Sequence, residues 1–216
     1  VSSSLDELES RVDAVLLARD DAENHLDFAK QFLQAGKPIY IDKPIALSMT
    51  GLHELYELQR YPGQIFTCSA LRYSEELNLY PRDRLAVGEI LSIAASIPRS
   101  WEKYAVHIIE PVLKMINSKD SIVSSECSSD SLEAQTLVVY WLSGVTTTFT
   151  TLGDVDSSVK IDIEGSSGER KLIFKDSFNA FKAALQDFVD GILFDECKSP
   201  FEFNERVVDL ITRGRL

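Results

Sequence analysis

The sequence lacks the glycine-rich loop G-x-G-x-x-G, although it contains 10 glycines among 216 residues. That loop provides the backbone N–H groups that hold a dinucleotide pyrophosphate, so this chain has no phosphate site of that kind. Cysteine is also scarce, and Cys68, Cys127 and Cys197 form no C-x-x-C pair. The spacing argues against a disulfide framework or a zinc site, and we expect three small hydrophobic residues and no bound metal.

Basic residues are few, with 22 Lys and Arg against 34 Asp and Glu and a formal net charge of -12. Such a chain repels a phosphate backbone, and no basic run interleaved with aromatic residues offsets this, so no nucleic acid partner is expected. No apolar run approaches the roughly 20 residues of a membrane helix, and the first residues do not resemble a signal peptide. These absences favour a soluble, cytoplasmic protein without a membrane partner.

The first 70 residues alternate between strand and helix patterns. Nearly continuous apolar runs predict short buried strands, and apolar residues at helical spacing predict amphipathic helices between them. Gly36 stands where a helix C-cap belongs. The short connections predict an α/β fold with a doubly wound parallel sheet. The predicted strands are 12–18, 38–41 and 65–70, and the predicted helices are 22–35 and a segment around 52–58.

The pattern changes beyond Gly88. A strand at 90–97 and a helix at 101–116 come first, and a serine-rich segment at 124–131 reads as a loop. Paired β patterns around tight turns predict antiparallel hairpins, and two helical stripes follow. The second part is therefore predicted to be an α+β domain with a largely antiparallel open sheet. Its predicted hairpins are 137–151 and 159–174, and its last helices are 178–192 and 203–211.

Candidate binding residues follow the predicted parallel strands, because open α/β sheets bind ligands at the carboxyl ends of their strands. Pro44 keeps Lys43 out of the helical region and so holds its ammonium at the mouth of the sheet. An exposed lysine before a helix is the alternative interpretation. The candidates are Ala18, Arg19 and Asp20 after the first strand, Asp42, Lys43 and Pro44 after the second, and Leu71, Arg72 and Tyr73 after the third.

Of the three histidines, His107 is the candidate for proton transfer. It lies on the predicted helix that opens the second domain, and an imidazole titrates near neutrality, as the removal of an alcohol proton requires. A core histidine satisfied by a neighbour is the alternative. His25 begins a predicted helix and is either structural or near a ligand, whereas His53 is expected to be solvated.

These motifs, in this order, resemble the Gfo/Idh/MocA family of glucose-fructose oxidoreductases and inositol dehydrogenases. The run at 12–18 is similar to the family's Asp-Ala-Val strand, and His25 through Lys43-Pro44 to its histidine-led helix and Glu-Lys-Pro motif. Arg72-Tyr73 is similar to the family's Arg-Phe segment. Gly88-Glu89-Ile90 is similar to its Gly-x-Ile strand start, and His107 to Glu110 to its His-x-x-Asp helix.

The resemblance implies a truncated Rossmann-type sheet at residues 1–87 and a substrate and oligomerisation domain at 88–216. It also implies an NAD(P)-dependent oxidoreductase that passes hydride between the nicotinamide of NAD or NADP and a sugar, polyol or related small hydroxy compound. Lys43 would contact the nicotinamide ribose and the substrate hydroxyl, and His107 would be the general acid/base. A homodimer or homotetramer is expected. The further implied contacts are Ala18, Arg19, Asp20, Asp42 and Pro44 for the cofactor, and Arg72, Lys103 and Tyr104 for the substrate.

Two features depart from the family pattern. Lys103 occupies the position, one helical turn before His107, where the family usually has an aspartate, and it would bind a substrate carboxylate or disfavour protonation of the imidazole. The missing glycine loop corresponds to about two βα units, and we expect a longer polypeptide to supply them. A non-catalytic binding or regulatory protein is therefore the alternative function. A variant of the fold that uses tightly held NAD to cleave glycosides also fits the sequence.

Overall fold

The computed structural model describes residues 4–129 and 134–215. The chain forms two compact units, one from residues 1–68 and 184–209 and the other from residues 69–183 and 210–216. In this grouping residues 69–87 belong to the second unit, and residues 184–209 belong to the first. The domain division after residue 87 stays a prediction.

The first unit is built on a parallel sheet of three strands in the order β1-β2-β3. The strands are β1 (Val15–Leu17), β2 (Ile39–Ile41) and β3 (Ile65–Phe66). Helix α1 (Leu5–Arg11) precedes β1, and helices α2 (His25–Gln34) and α3 (Met49–Glu57) connect the strands. This confirms the expected doubly wound α/β pattern. The strands are shorter than the apolar runs that predicted them. β1 lies at the sheet edge, and its Leu16 is 57% exposed.

The core of the first unit lies between the sheet and its helices. Ala29, Phe32 and Leu33 of α2 pack with Ile39 and Ile41 of β2, all of them at most 2% exposed. Burial of each large aliphatic or aromatic side chain contributes about 1.5–3 kcal/mol, so this cluster stabilises the unit. Local signals fix the helix ends: the Ser48 hydroxyl accepts from Gly51 N at the start of α3. Gly36 adopts a φ of 75° after α2, as a left-handed C-cap requires.

The second unit contains a sheet of six strands in the order β5-β6-β7-β4-β8-β9. The central strand β4 pairs parallel with β7 and antiparallel with β8, and the remaining neighbours are antiparallel. The expected α+β domain with a largely antiparallel sheet is confirmed. The strands are β4 (Ile90–Ile97), β5 (Ile122–Ser129), β6 (Ala134–Trp141), β7 (Thr146–Leu152), β8 (Lys160–Gly165) and β9 (Glu169–Ile173).

Three short helices accompany this sheet, and two longer helices end the chain. They are α4 (Pro81–Val87), α5 (Trp101–Tyr104), α6 (Val106–Met115), α7 (Ser177–Phe194) and α8 (Phe201–Arg213). The single helix expected at 101–116 is interrupted at Ala105, and α4 was not foreseen. Trp101 is buried and donates its indole N–H to Ile211 O at 2.9 Å. No helix in the described ranges combines the length and apolarity needed to cross a membrane.

The prediction of a loop at 124–131 was wrong for the residues that the structure describes, whereas 130 and 131 lie outside them. Residues 122–129 form β5, which pairs antiparallel with β6 from Ser129–Gln135 to Ile122–Trp141. β5 is an edge strand, so its outward side chains meet solvent. Serines therefore replace the apolar residues that normally mark a strand, and backbone pairing with β6 determines the structure instead.

Candidate functional site

In the first unit, Lys43 lies at the carboxyl end of β2. Its ammonium is 3.8 Å from the Asp42 carboxylate, and its side chain is 19% exposed. The Asp42 N–H donates to Leu17 O of β1 at 3.0 Å, which ties this segment to the end of the neighbouring strand. The Lys43–Pro44 peptide bond is cis. A partly buried cation thus lies where open α/β sheets bind their ligands, and its ammonium can donate hydrogen bonds to the ribose hydroxyls at the nicotinamide end of a dinucleotide.

The segment after β1 contains the other predicted cofactor residues. Arg19 pairs with Asp21 through two hydrogen bonds of 2.9 and 2.6 Å, and its guanidinium lies 4.2 Å from the Phe28 ring. The hydrogen bond from Arg19 and, to a smaller extent, the one from Asn24 hold the pKa of the Asp21 carboxyl well below its usual range. Ala18 and Asp20 are exposed beside this pair. The charge of Arg19 is therefore balanced locally by Asp21.

His25 is buried and joins the segments that follow β1 and β2. Its Nε2 is 2.9 Å from Arg19 O, and its Nδ1 is 3.0 Å from Ile45 O. Both ring nitrogens therefore contact backbone carbonyl oxygens. This arrangement gives His25 a structural role, since it fixes two loops at the carboxyl ends of their strands. His53 is half exposed, with Nε2 3.7 Å from Glu205, as expected for a solvated histidine.

In the second unit, His107 lies on α6 and is 8% exposed. Its Nδ1 is 2.7 Å from the Ser69 hydroxyl, which also accepts a hydrogen bond from Leu71 N at 3.1 Å. The Tyr104 ring lies 5.9 Å from the imidazole, centroid to centroid. Lys103 is exposed on α5. Of the residues predicted to bind substrate, the structure thus brings Tyr104 against His107.

Glu110 is buried one helical turn beyond His107. Its Oε1 accepts the Ser69 N–H at 2.9 Å. Its Oε2 is 3.4 Å from Arg72 Nε, which is an ion-pair distance, but this oxygen has no hydrogen-bond partner with good geometry. Burial raises the pKa of the Glu110 carboxyl to about 7, and the nearby Arg72 charge, the Ser69 N–H and the Lys114 charge offset part of that effect.

Arg72 is held from several sides. It is 7% exposed, donates to Tyr73 OH at 3.0 Å, and its carbonyl accepts from Lys114 Nζ at 2.9 Å. Ser69 links this group to the imidazole because its two polar atoms contact Glu110 and His107. We call Ser69, Arg72, His107 and Glu110 the Ser69 cluster. In this cluster Glu110 can hold a proton near neutrality, Ser69 and His107 can donate hydrogen bonds, and Arg72 carries a positive charge.

Sequence reasoning missed Ser69 and assigned no role to Glu110. Ligands bind at the carboxyl ends of parallel strands, and Ser69 lies just after β3, so it meets that criterion. The sequence prediction selected residues 71–73 after this strand instead. Glu110 is three residues after His107, which places both on one helix face. Within the described residues, no group of three or more His, Cys, Asp or Glu side chains is arranged to hold a metal ion.

Comparison with known protein families gives a match over residues 1–69 to the Gfo/Idh/MocA model, described as an oxidoreductase family with an NAD-binding Rossmann fold. This match confirms the resemblance for the motifs within residues 1–69. The chain is also similar to biliverdin reductase A of Mus musculus, with 40% identity over 45 residues. Those residues make up 21% of this chain and 15% of the mouse protein.

Solved structures extend the similarity of fold along the chain. GenD2 from gentamicin A biosynthesis, solved in complex with NAD, superposes with a TM-score of 0.83 at 14% identity, over 99% of this chain and 79% of GenD2. The myo-inositol 2-dehydrogenase of Lactobacillus plantarum superposes with a TM-score of 0.79 at 14% identity, over 97% of this chain and 80% of that one. At this level of identity the likeness establishes the fold, which these proteins share.

Proposed function

We propose that this chain, whose residues 1–69 belong by sequence to the Gfo/Idh/MocA oxidoreductases, takes part in NAD(P)-dependent hydride transfer to or from a small sugar, polyol or related compound. The observation that carries the proposal is the partly buried Lys43 ammonium at the carboxyl end of β2, inside the matched segment. Two proteins of similar fold support the class of substrate and cofactor: one is described as a myo-inositol 2-dehydrogenase, and the other, GenD2, was solved in complex with NAD.

The first unit would hold the nicotinamide end of the cofactor. Ala18, Arg19 and Asp20 after β1, with Asp42, Lys43 and Pro44 after β2, would line that site. When bound, the nicotinamide supplies or accepts the hydride. The Lys43 ammonium is a donor of hydrogen bonds only, so it suits the ribose hydroxyls and the oxygen of the substrate.

The second unit would handle the substrate oxygen. Oxidation of a secondary alcohol releases a hydride and a hydroxyl proton, and reduction of a carbonyl requires both in reverse. His107 is placed for hydrogen bonding or proton exchange at that oxygen, with Arg72, Lys103 and Tyr104 as substrate contacts. Assembly as a homodimer or homotetramer stays a prediction of the resemblance, and a cytoplasmic location stays a prediction from the composition of the sequence.

Nucleotide binding and turnover by the complete protein test this proposal. Fluorescence titration should show binding of NADH or NADPH, and a panel of sugars and polyols should reveal a substrate by absorbance at about 340 nm, where reduced nicotinamide absorbs. Lys43→Met and His107→Ala should each lower turnover at least about tenfold, as loss of one transition-state hydrogen bond does. Lys30→Met on α2 and His53→Ala are matched exposed controls that should retain activity.

Two results would refute the proposal. If the wild-type protein bound neither nucleotide, the non-catalytic alternative would be favoured. If Lys43→Met bound and turned over as fast as Lys30→Met, the ammonium at the end of β2 would have no part in the reaction.

A further inference from the structure

Ser69 makes a complete set of hydrogen bonds that determines where its hydroxyl proton lies. The residue is fully buried, its backbone N–H donates to Glu110, and its Oγ contacts Leu71 N at 3.1 Å and His107 Nδ1 at 2.7 Å. A serine hydroxyl has one hydrogen and two lone pairs. The Leu71 N–H donates to one of those lone pairs, because a backbone N–H group can only donate.

The remaining contact has two arrangements, and one of them leaves a buried donor unsatisfied. If Nδ1 carried a hydrogen and donated it to Oγ, both lone pairs would be filled, and the hydroxyl hydrogen would have no acceptor. Among the residues that the structure describes, His107 Nδ1 is the acceptor in contact with this hydroxyl. Buried donors are nearly always paired. The Ser69 hydroxyl therefore donates to Nδ1.

We propose that Ser69 is a positioning residue that holds the neutral His107 imidazole with its hydrogen on Nε2, so that His107 presents a hydrogen-bond donor to the substrate. This inference rests on the proposed function for the identity of the ligand. A neutral imidazole has one N–H, and a donor bonded to one ring nitrogen places that hydrogen on the other. A substrate group that contacts Nε2 would then be an acceptor, such as the oxygen of an alcohol or carbonyl compound.

The surroundings of Ser69 keep this geometry in place. Its backbone N–H donates to the Glu110 carboxylate, three residues beyond His107, so two atoms of Ser69 contact one turn of α6. Rotation of the imidazole away from the hydroxyl would break the shorter of these contacts and leave the hydroxyl unpaired. Glu110 is thus a second positioning residue, which acts on His107 through Ser69.

The tautomer of His107 is measurable without nucleotide or substrate. The protein is labelled with ¹⁵N-histidine, and long-range ¹H–¹⁵N correlation spectra are recorded in alkaline buffer, where unperturbed histidines are neutral. His107→Gln identifies the His107 signal among the 3 histidines. Ser69→Ala removes the donor, and Ser69→Thr retains it. Ser74→Ala removes another buried hydroxyl of the same segment and is the matched control.

We expect the Nε2–H pattern in the wild type, in Ser69→Thr and in Ser74→Ala, and a loss of that preference in Ser69→Ala. An Nδ1–H pattern in the wild type would overturn the inference, as would an unchanged pattern in Ser69→Ala. Because this readout requires no turnover, either result is independent of the hydride-transfer proposal. The wild-type spectrum alone decides the tautomer if a variant fails to fold.

Discussion

Replacement of Glu110 by glutamine should make the protein more stable in alkaline solution while leaving its stability in acid nearly unchanged. Glutamine keeps an amide oxygen that can accept the Ser69 N–H, but it carries no charge. The wild-type carboxyl is fully buried beside Arg72, and burial raises its pKa to about 7 from an ordinary value of 4.5. Burial therefore outweighs the attraction of the guanidinium.

The sign and size of the effect follow from proton linkage. Between pH 4.5 and about 7 the folded chain holds a proton on Glu110 that the unfolded chain has released. The free energy of unfolding then falls as the pH rises through this window, because the folded state binds more protons. A shift of this size corresponds to ~3 kcal/mol in total, since each pH unit contributes about 1.4 kcal/mol. Glutamine resembles the protonated form and removes this loss.

Urea denaturation of wild type and Glu110→Gln at about pH 5 and about pH 8 measures the difference. The two proteins should have similar unfolding free energies at the lower pH, and the variant should be more stable by up to ~3 kcal/mol at the higher pH. Glu126→Gln, on the exposed face of β5, is the matched control and should follow the wild type. If Glu110→Gln is instead less stable at the higher pH, the ion pair with Arg72 outweighs the burial cost and the reasoning fails.

Two further substitutions test the structure of the first unit. His25→Ala removes two contacts to backbone carbonyls, one buried and one partly buried, and should lower the free energy of unfolding by about 1–3 kcal/mol. His53→Ala should change it by less than about 0.5 kcal/mol. Equal losses in denaturant melts would contradict the structural role of His25. Gly36→Ala meets only Arg60 side-chain atoms at 3.7 Å or beyond, so its cost of about 1–2 kcal/mol should come from the φ of 75° alone. An unchanged melting temperature would show that this residue does not adopt the left-handed conformation.

Local patterns were sufficient for most of the fold. The predicted strand at 90–97 matches β4, and the helix that was expected to end before Gly36 does so. In both cases the signal lies within a few neighbouring residues: apolar periodicity in one and a C-cap glycine in the other. β5 gave no such signal, because its structure depends on pairing with β6 and its serines carry little strand propensity.

The candidate site divides in the same way. Lys43 was found because a strand and a proline flank it in the sequence. The hydrogen bonds of Ser69 reach Glu110 and His107 across 41 and 38 residues, and no local pattern encodes contacts at that separation. Ser69 follows a strand of two residues, whose end was predicted at Ala70 rather than at Phe66. The error in that boundary hid the serine within the predicted strand.

Two features of this chain concern the chemistry expected at His107: Lys103 stands where the resemblance implies an aspartate, and the Ser69 hydroxyl contacts Nδ1. An aspartate beside a histidine accepts a hydrogen bond from one ring nitrogen, which leaves a lone pair on the other nitrogen, as a base requires. A lysine ammonium has no lone pair to offer, and Ser69 supplies a donor at Nδ1. In the tautomer that we propose, a donor at Nδ1 takes the place of an acceptor, and Nε2 becomes a hydrogen-bond donor instead of a base. A histidine that donates from Nε2 needs no carboxylate partner at Nδ1, so the proposed tautomer is consistent with Lys103 in place of the aspartate that the resemblance implies.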